Sequence, residues 1–119
     1  MNEDAKGFRL PTEWEWEYAA KAGENLEYSG SNNADDVGCY SGINKVGTHP
    51  IKQKKSNKWG FYDMSGNVRE WCESRYDSTS EHRVIRGDDW ESKQRVAYRW
   101  SADPSSLHFS FGFRICKHI

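Results

Sequence analysis

The chain has 119 residues and a mass of 13.8 kDa, which is the size of a single domain. Its 17 lysine and arginine residues and 18 aspartate and glutamate residues give a net charge of -1, which argues against a dedicated nucleic-acid binder. The mean hydropathy is -1.01 and the sequence contains no long apolar run, which excludes a transmembrane helix. No signal peptide is visible, and the compartment stays open.

Aromatic residues make up 14% of the chain while aliphatic residues are scarce, so the core is expected to contain large rings. The three cysteines are Cys39, Cys72 and Cys116, and no Cys-x-x-C motif occurs. An odd count without that motif argues against a disulfide framework or a cysteine-rich zinc site. We therefore expect free, buried or half-buried thiols.

The first element is predicted as a helix over residues 13–21. Thr12 can cap its start, and Glu15, three residues later, completes a capping box. Gly23 is expected to end it in the left-handed conformation. The face predicted to pack against a sheet consists of Trp16, Ala19 and Ala20.

The rest of the chain predicts loops and short strands. Residues 24–58 show no period, and their lysines are expected to be solvated. Residues 59–64 predict a short strand or tight loop. Alternation predicts strands over 83–86, 95–99 and 111–116. One helix followed by a small, mostly antiparallel sheet with long irregular loops is an α+β layout.

Four segments in register carry a family resemblance. They are Phe-Arg-Leu-Pro-Thr-Glu at 8–13 leading into 15–20, Gly-Phe-Tyr-Asp-Met-Ser-Gly-Asn-Val at 60–68 with Glu70 and Trp71, Arg-Val-Ile-Arg-Gly at 83–87 with Trp90, and Gly-Phe-Arg at 112–114. Together they resemble the sulfatase-modifying-factor family, also called the formylglycine-generating-enzyme domain. The resemblance implies a C-type-lectin-like fold over residues 8–116, with tails at 1–7 and 117–119.

The resemblance also implies a choice of functions, because the family contains copper oxidases, iron-dependent sulfoxide synthases and non-catalytic binding proteins. Among the last are variable proteins of diversity-generating retroelements. The family domain is usually about twice this long, and a further half normally precedes the Arg-Leu-Pro-Thr-Glu segment. We therefore expect either a fragment or a reduced C-terminal half, whose exposed core a partner chain or self-association would cover.

Catalysis is not expected, because the two copper-binding cysteines that the resemblance implies are missing. Their positions fall at about Ser92 and at Val96 or Ala97, and no cysteine lies between Cys72 and Cys116. Soft thiolates are what copper(I) prefers, so no copper is expected. The four histidines show no His-x-His or His-x-x-x-His spacing, which gives no indication of an iron site.

A structural calcium ion is a further implication of the resemblance, with Asn67 and Glu70 supplying hard oxygen ligands. The alternative is that Asn67 adopts a left-handed turn and Glu70 pairs with an arginine. Two side chains alone make a poor calcium site, so both interpretations stay open.

The segment 88–111 is the candidate binding surface, because it mixes aromatic with small polar residues as a paratope does. Its candidate ligand-binding residues are Trp90, Glu91, Ser92, Trp100, Ser101, Asp103, Ser105, Leu107, His108 and Phe109. We expect Trp100, His108 and Phe109 to be anchors, with Ser92, Ser101, Asp103 and Ser105 as adaptable hydrogen-bonding groups. Trp90, Tyr98 and Phe113 are instead expected in the core.

One compositional feature fits the variable proteins, whose mutator acts on adenines in asparagine codons. Such codons cannot become Glu, Lys, Gln, Met or Trp, and residues 101–111 contain none of these five types. They account for 29 of the 119 residues, so eleven clear positions arise by chance roughly one time in twenty.

The sequence therefore predicts a non-catalytic binding module, with a protein as the expected ligand and no nucleic-acid or membrane partner. One alternative is a diverged or partial formylglycine-generating oxidase. Another is a structural module that a partner chain completes.

Overall fold

The computed structural model describes residues 7–38, 50–89, 95–108 and 110–117. The elements, in chain order, are β1 (Phe8–Arg9), α1 (Glu13–Lys21), α2 (Ala34–Val37), β2 (Arg69–Arg75), β3 (Arg83–Arg86), β4 (Trp100–Ala102), β5 (Phe111–Gly112) and β6 (Cys116–Lys117). The predicted α+β class is confirmed.

The strands within these ranges form two sheets. The larger has the order β4-β3-β2-β5, antiparallel except for the parallel β2–β5 pair. In the smaller, β1 pairs antiparallel with β6, so Phe8 lies opposite Lys117. Of these helices, none is long and apolar enough to cross a membrane.

Helix α1 begins as predicted. The Thr12 hydroxyl accepts the Glu15 N–H at 3.2 Å, and the Glu15 carboxylate accepts the Thr12 N–H at 2.9 Å, which completes the capping box. The helix ends at Lys21 as predicted, and Gly23 has the expected positive φ of 74, but the left-handed conformation already begins at Ala22. Ala22 takes the left-handed conformation with φ 50 and donates its N–H to Tyr18 O at 3.1 Å.

The core lies between α1 and the facing side of β2 and β3. Its buried members are Trp16, Ala20, Met64, Cys72, Val84 and Val96. Space around the Trp16 ring is tight, since a Cβ on Gly87 would lie 2.9 Å from Trp16 Cζ2, and Gly87 has φ 93. The predicted helix face is confirmed for Trp16 and Ala20, with Ala19 partly buried beside them.

Two predicted core rings are exposed, and that prediction is wrong. Tyr98 is 43% exposed, because it lies in a turn and stacks on Trp100 rather than on α1. Phe113 is 68% exposed, in the segment that leaves β5 to reach β6. Trp90, the third ring predicted for the core, lies outside the described residues.

Three predicted elements also differ. Residues 24–58 contain the short helix α2, whose first turn Asn33 caps by accepting the Asp35 N–H. Residues 95–99 are a turn, because Tyr98 N–H bonds to Arg95 O while Val96 N–H bonds to Glu27 O. The predicted strand 111–116 divides into β5 and β6, which pair in different sheets.

A buried arginine joins α1 to β3. Arg86 donates to Glu13 and Glu17 at 3.0 Å each and to Val96 O at 2.8 Å. Glu13 also accepts two hydrogen bonds from Arg99, in the turn before β4. The two carboxylate partners compensate the charge of the buried guanidinium. Because Glu13 and Glu17 lie on α1 while Arg86 and Arg99 lie on or next to the sheet, these ion pairs fix the orientation of the helix on the sheet.

Candidate functional site

The register of the large sheet places several candidate residues on the side facing away from α1. Ile85 lies opposite both Trp71 and Trp100, so these three side chains share one face. Arg69 lies opposite Phe111 in the parallel pair β2–β5. We call the surface formed by Arg69, Trp71, Trp100 and Phe111 the outer face. Glu70, Cys72, Val84 and Arg86 point the other way, toward α1.

The side chains of the outer face form two contacting groups. The Arg69 guanidinium lies 3.8 Å from the centre of the Trp100 ring, and the Tyr98 ring is 4.9 Å from it on another side. Trp71 and Phe111 meet edge to face at 5.5 Å. Arg69 is also held by Asp88 at 3.5 Å and Asp89 at 3.4 Å. These contacts hold the rings in defined orientations before any ligand arrives.

The loop after β4 forms a turn with its own hydrogen bonds. Asp103 Oδ1 accepts the Ser105 N–H at 2.9 Å and the Ser105 hydroxyl at 2.7 Å, and Ser106 N–H bonds to Asp103 O at 2.9 Å. These bonds from Ser105 hold the pKa of Asp103 below its usual range. The turn presents Leu107, which is 97% exposed and the most exposed large apolar side chain on this surface.

His108 joins the loop to the other end of the outer face. Its Nδ1 accepts the Ser110 N–H at 3.1 Å and lies 2.6 Å from the Ser110 hydroxyl, so the neutral ring carries its proton on Nε2. The ring lies 4.9 Å from Phe111. Two of the three predicted anchors therefore contact residues of the outer face: Trp100 contacts Arg69, and His108 contacts Phe111.

The structure separates some predicted residues. Ser101 lies opposite Val84 and so points away from the Trp100 side, toward His82 Nδ1 at 3.4 Å. Asp103 and Ser105 bond to each other, as described above. Trp90, Glu91, Ser92 and Phe109 lie outside the described residues.

Two residues of the outer face were missed by sequence analysis, namely Arg69 and Trp71, whereas Phe111 lies in the predicted segment 88–111. The signal that was available is the alternation of Arg69, Trp71 and Glu73 with buried Glu70 and Cys72 along β2. A cavity of about 370 Å³ opens beside this surface and is lined by Leu10, Trp71, Cys72, Glu73, Arg83 and Pro104.

A family model for the sulfatase-modifying factor enzyme 1-like domain matches residues 2–119. The chain belongs to the sulfatase-modifying-factor family. The resemblance found in the sequence is thereby confirmed, and the family relationship covers nearly the whole chain.

Known relatives include catalytic and inactive proteins. The chain is 38% identical to the chaperone protein LppX of Paenibacillus barcinonensis, over 98% of this chain and 51% of that protein. It is 31% identical to the inactive Cα-formylglycine-generating enzyme 2 of Bos taurus, covering 92% of this chain and 44% of the relative. It is also 31% identical to the formylglycine-generating enzyme of Streptomyces coelicolor, covering 91% and 46%.

Among solved structures, the Treponema denticola variable protein 1 matches with a TM-score of 0.86 and 33% identity, over 99% of this chain and 50% of that one. The predicted C-type-lectin-like fold is confirmed. The chain spans about half the length of LppX and of the variable protein.

Burial raises the pKa of Cys72 to about 12, and burial also raises the pKa of Cys116. Both are free thiols, as predicted, while Cys39 lies outside the described residues. Val96, one of the positions inferred for a copper ligand, is a buried core residue. The family contains both active and inactive members, and these features by themselves assign this chain to neither.

Glu70, one of the two calcium candidates, is paired with a permanent cation. Both Glu70 carboxylate oxygens accept from Arg114, with Arg114 Nη2 at 2.9 Å from Oε2, and Trp16 Nε1 donates to Oε1 at 3.1 Å. Burial raises the pKa of Glu70, and the hydrogen bonds from Arg114 oppose that rise. Asn67 adopts the left-handed conformation with φ 66. The described residues contain no group of three or more His, Cys, Asp or Glu side chains that could hold a metal. A calcium ion on Glu70 would require Arg114 to move, and calcium binding stays a prediction.

Proposed function

We propose that this chain is a non-catalytic recognition module that binds a protein ligand through the outer face and the 103–108 loop. The observation that carries the proposal is that the Arg69–Trp100 pair and the Trp71–Phe111 pair lie on one face of the sheet, while the loop after β4 exposes Leu107. Pre-oriented rings with an arginine among them are typical of interface hot spots.

A protein suits this surface better than a small ligand. The rings lie along a sheet face, the loop projects an apolar side chain into solvent, and Tyr98 adds a further 43% exposed ring. The similarity to a variable protein and to an inactive enzyme supports a non-catalytic role. We further propose that residues 101–111 belong to a diversified surface.

The binding proposal is tested by selecting peptides from a display library on the immobilised protein. Wild-type protein and the Trp59→Ala variant, whose change lies near α1, should enrich the same peptides. The Trp100→Ala variant should not enrich them, although its melting temperature should show that it is folded. Equal enrichment by all three proteins would overturn the proposal.

Diversification is tested separately by sequencing this gene from several isolates. We expect differences concentrated in codons 88–111, over an unchanged scaffold at 60–87. Differences spread evenly along the gene would exclude a diversified surface, while leaving the binding proposal to the display experiment.

An assembly module is the second candidate, favoured by exposed apolar side chains at the end formed by the small sheet. Phe8, Phe113 and Ile115 are 69%, 68% and 55% exposed. Light scattering across a concentration series tests it. An oligomer without free monomer, which Phe8→Ser dissociates, would support this candidate, and a monomer at all concentrations would exclude self-assembly.

An oxidase-type enzyme remains the alternative from another class. A tight copper(I) complex that is lost on replacing Cys72 or Cys116 would support it. The raised pKa of both thiols would weaken such a complex, because copper(I) binds the thiolate.

A further inference from the structure

A second surface lies on the opposite side of the molecule, on the part of α1 that faces solvent. Trp14 and Tyr18 are one helical turn apart, 71% and 57% exposed, with their rings 5.2 Å apart at an interplanar angle of 10°. Trp59 meets Tyr18 at 5.0 Å and an angle of 57°. Trp14 and Tyr18 line a groove of about 590 Å³ along the helix, which we call the aromatic groove, and Trp59 packs against Tyr18 behind it.

The groove is held by rigid elements. Trp14 and Tyr18 project from a helix that is capped at its start and joined to the sheet by Arg86. The Trp59 N–H bonds at 3.0 Å to the side chain of Asn57, which is itself buried against the end of α1. Trp59 also approaches the helix end closely, since a Cβ on Gly23 would lie 3.6 Å from its ring. Rings fixed in this way lose little entropy on binding.

The charges around the aromatic groove cancel. Glu13 is paired with Arg86 and Arg99, and Glu17 with Arg86 and Lys21. Glu24 also lines the groove, so three carboxylates face the three cations Arg86, Arg99 and Lys21. A cationic ligand is therefore not attracted by a net charge here, and an anionic ligand is repelled by the Glu24 carboxylate. A neutral ligand matches the groove.

The rim supplies hydrogen-bonding groups of both kinds. Glu24 offers a carboxylate acceptor, Lys21 an ammonium donor and Asn25 an amide that does both, and all three line the groove. A sugar hydroxyl donates and accepts in the same way. A pyranose ring with equatorial hydroxyls also presents a flat face of C–H bonds, which are positively polarised and attracted to the negative face of an aromatic ring.

From these observations we infer that the aromatic groove binds a neutral carbohydrate of β-linked pyranose units, packed against Trp14 and Tyr18. The groove and the outer face lie on opposite sides of the sheet. This site is therefore independent of the proposed recognition of a protein ligand.

Calorimetric titration with cellotetraose tests the inference on the whole chain. We expect saturable binding with a Kd on the order of 1 mM, weakened at least about tenfold by Trp14→Ala, because one of the stacking faces is lost. Trp14 is mostly solvent-exposed, so the variant should unfold at nearly the wild-type temperature. Ile51→Ala, which removes an apolar side chain that is also 71% exposed, is the matched control and should bind as wild type does.

Three results would overturn the inference. One is the absence of saturable binding of cellotetraose or chitotetraose up to about 10 mM. Another is unchanged affinity in Trp14→Ala, which would place the sugar elsewhere. The third is preferential binding of tetramethylammonium, which would identify the groove as a cation site. Trp100→Ala should leave cellotetraose binding unchanged, so failure here and failure of the proposed function can be told apart.

Discussion

The guanidinium of Arg69 in β2 lies 3.8 Å from the ring centre of Trp100 in β4, although β3 runs between the two strands. Arg69 spans the sheet surface and anchors the edge-strand tryptophan from the centre of the sheet. The same side chain approaches Asp88 and Asp89, whose carboxylates are almost completely buried. Arg69 thus combines a structural role with a place on the candidate recognition surface.

Two substitutions of Arg69 should therefore lower the free energy of unfolding by different amounts. Arg69→Lys keeps a positive charge but loses the planar stacking on Trp100, and we expect a loss of about 1 kcal/mol. Arg69→Met also removes the cation beside two buried carboxylates, for which we expect about 3 kcal/mol. Urea unfolding measures both. Equal effects of the two variants would contradict the assigned role of the charge.

Ligand binding should depend on Trp100. With a peptide selected on the wild-type protein, we expect Trp100→Ala to cost at least about 2 kcal/mol in binding free energy, because the ring is pre-oriented by its neighbours. Trp59→Ala is the control on the other side of the molecule. A loss below about 0.5 kcal/mol at Trp100 would remove it from the list of anchors.

The buried side chain of Asn57 links the end of α1 to the loop at 59–61 through hydrogen bonds. Its amide donates to Ala19 O at 2.8 Å and Ser29 Oγ at 3.1 Å, and its oxygen accepts the N–H groups of Trp59 and Phe61. We expect Asn57→Ala to lower the free energy of unfolding by about 2–4 kcal/mol, since several buried polar groups lose their partner.

The exposed Asn25 provides the matched control for this change. Asn25→Ala should alter the free energy of unfolding by less than about 0.5 kcal/mol. Thermal and urea unfolding measure both variants, and similar small effects of the two would show that Asn57 is not a structural link.

Acid should weaken the start of α1. Two hydrogen bonds from Arg9, at 2.7 and 2.8 Å, hold the pKa of Glu15 at about 2, below its ordinary value of 4.5. A carboxyl whose pKa is lowered by folding stabilises the fold above pH 4.5, and that contribution disappears as the pH falls toward 2. The effect should be small, because Glu15 is 35% exposed and solvent screens the pair.

The Glu15→Gln variant isolates this contribution, since glutamine can still complete a capping box. The stability difference between wild type and variant should be larger at pH 6 than at pH 2.5. Urea unfolding at both pH values measures it. A difference that does not change with pH would mean that Arg9 does not stabilise the ionised form.

Cys72 should resist thiol reagents while the protein is folded. With a pKa of about 12, only roughly one thiol in ten thousand is ionised at pH 8, and the side chain is buried. Iodoacetamide labelling followed by peptide mapping should find Cys72 unmodified in buffer and modified in urea. Fast labelling in buffer would contradict the burial described here.

The extent of sequence-based prediction differed between local and long-range features. The structure agrees with the predicted capping box of α1 and with the predicted strand 83–86. It also agrees with the left-handed turn considered for Asn67 and the arginine pairing considered for Glu70. The missed outer-face residues, the divided strand 111–116 and the exposed Tyr98 and Phe113 do not follow from local pattern.

By itself, the sequence determined the family, the fold class and the helix, because caps and helix faces arise from residues three or four positions apart. Only the tertiary structure decided which side of the sheet each strand residue faces and which rings meet. Arg69 and Trp100 are 31 positions apart in the sequence. Their contact depends on the register in which β2 and β4 each pair with β3. A shift of that register by one residue would turn Trp100 toward the opposite face.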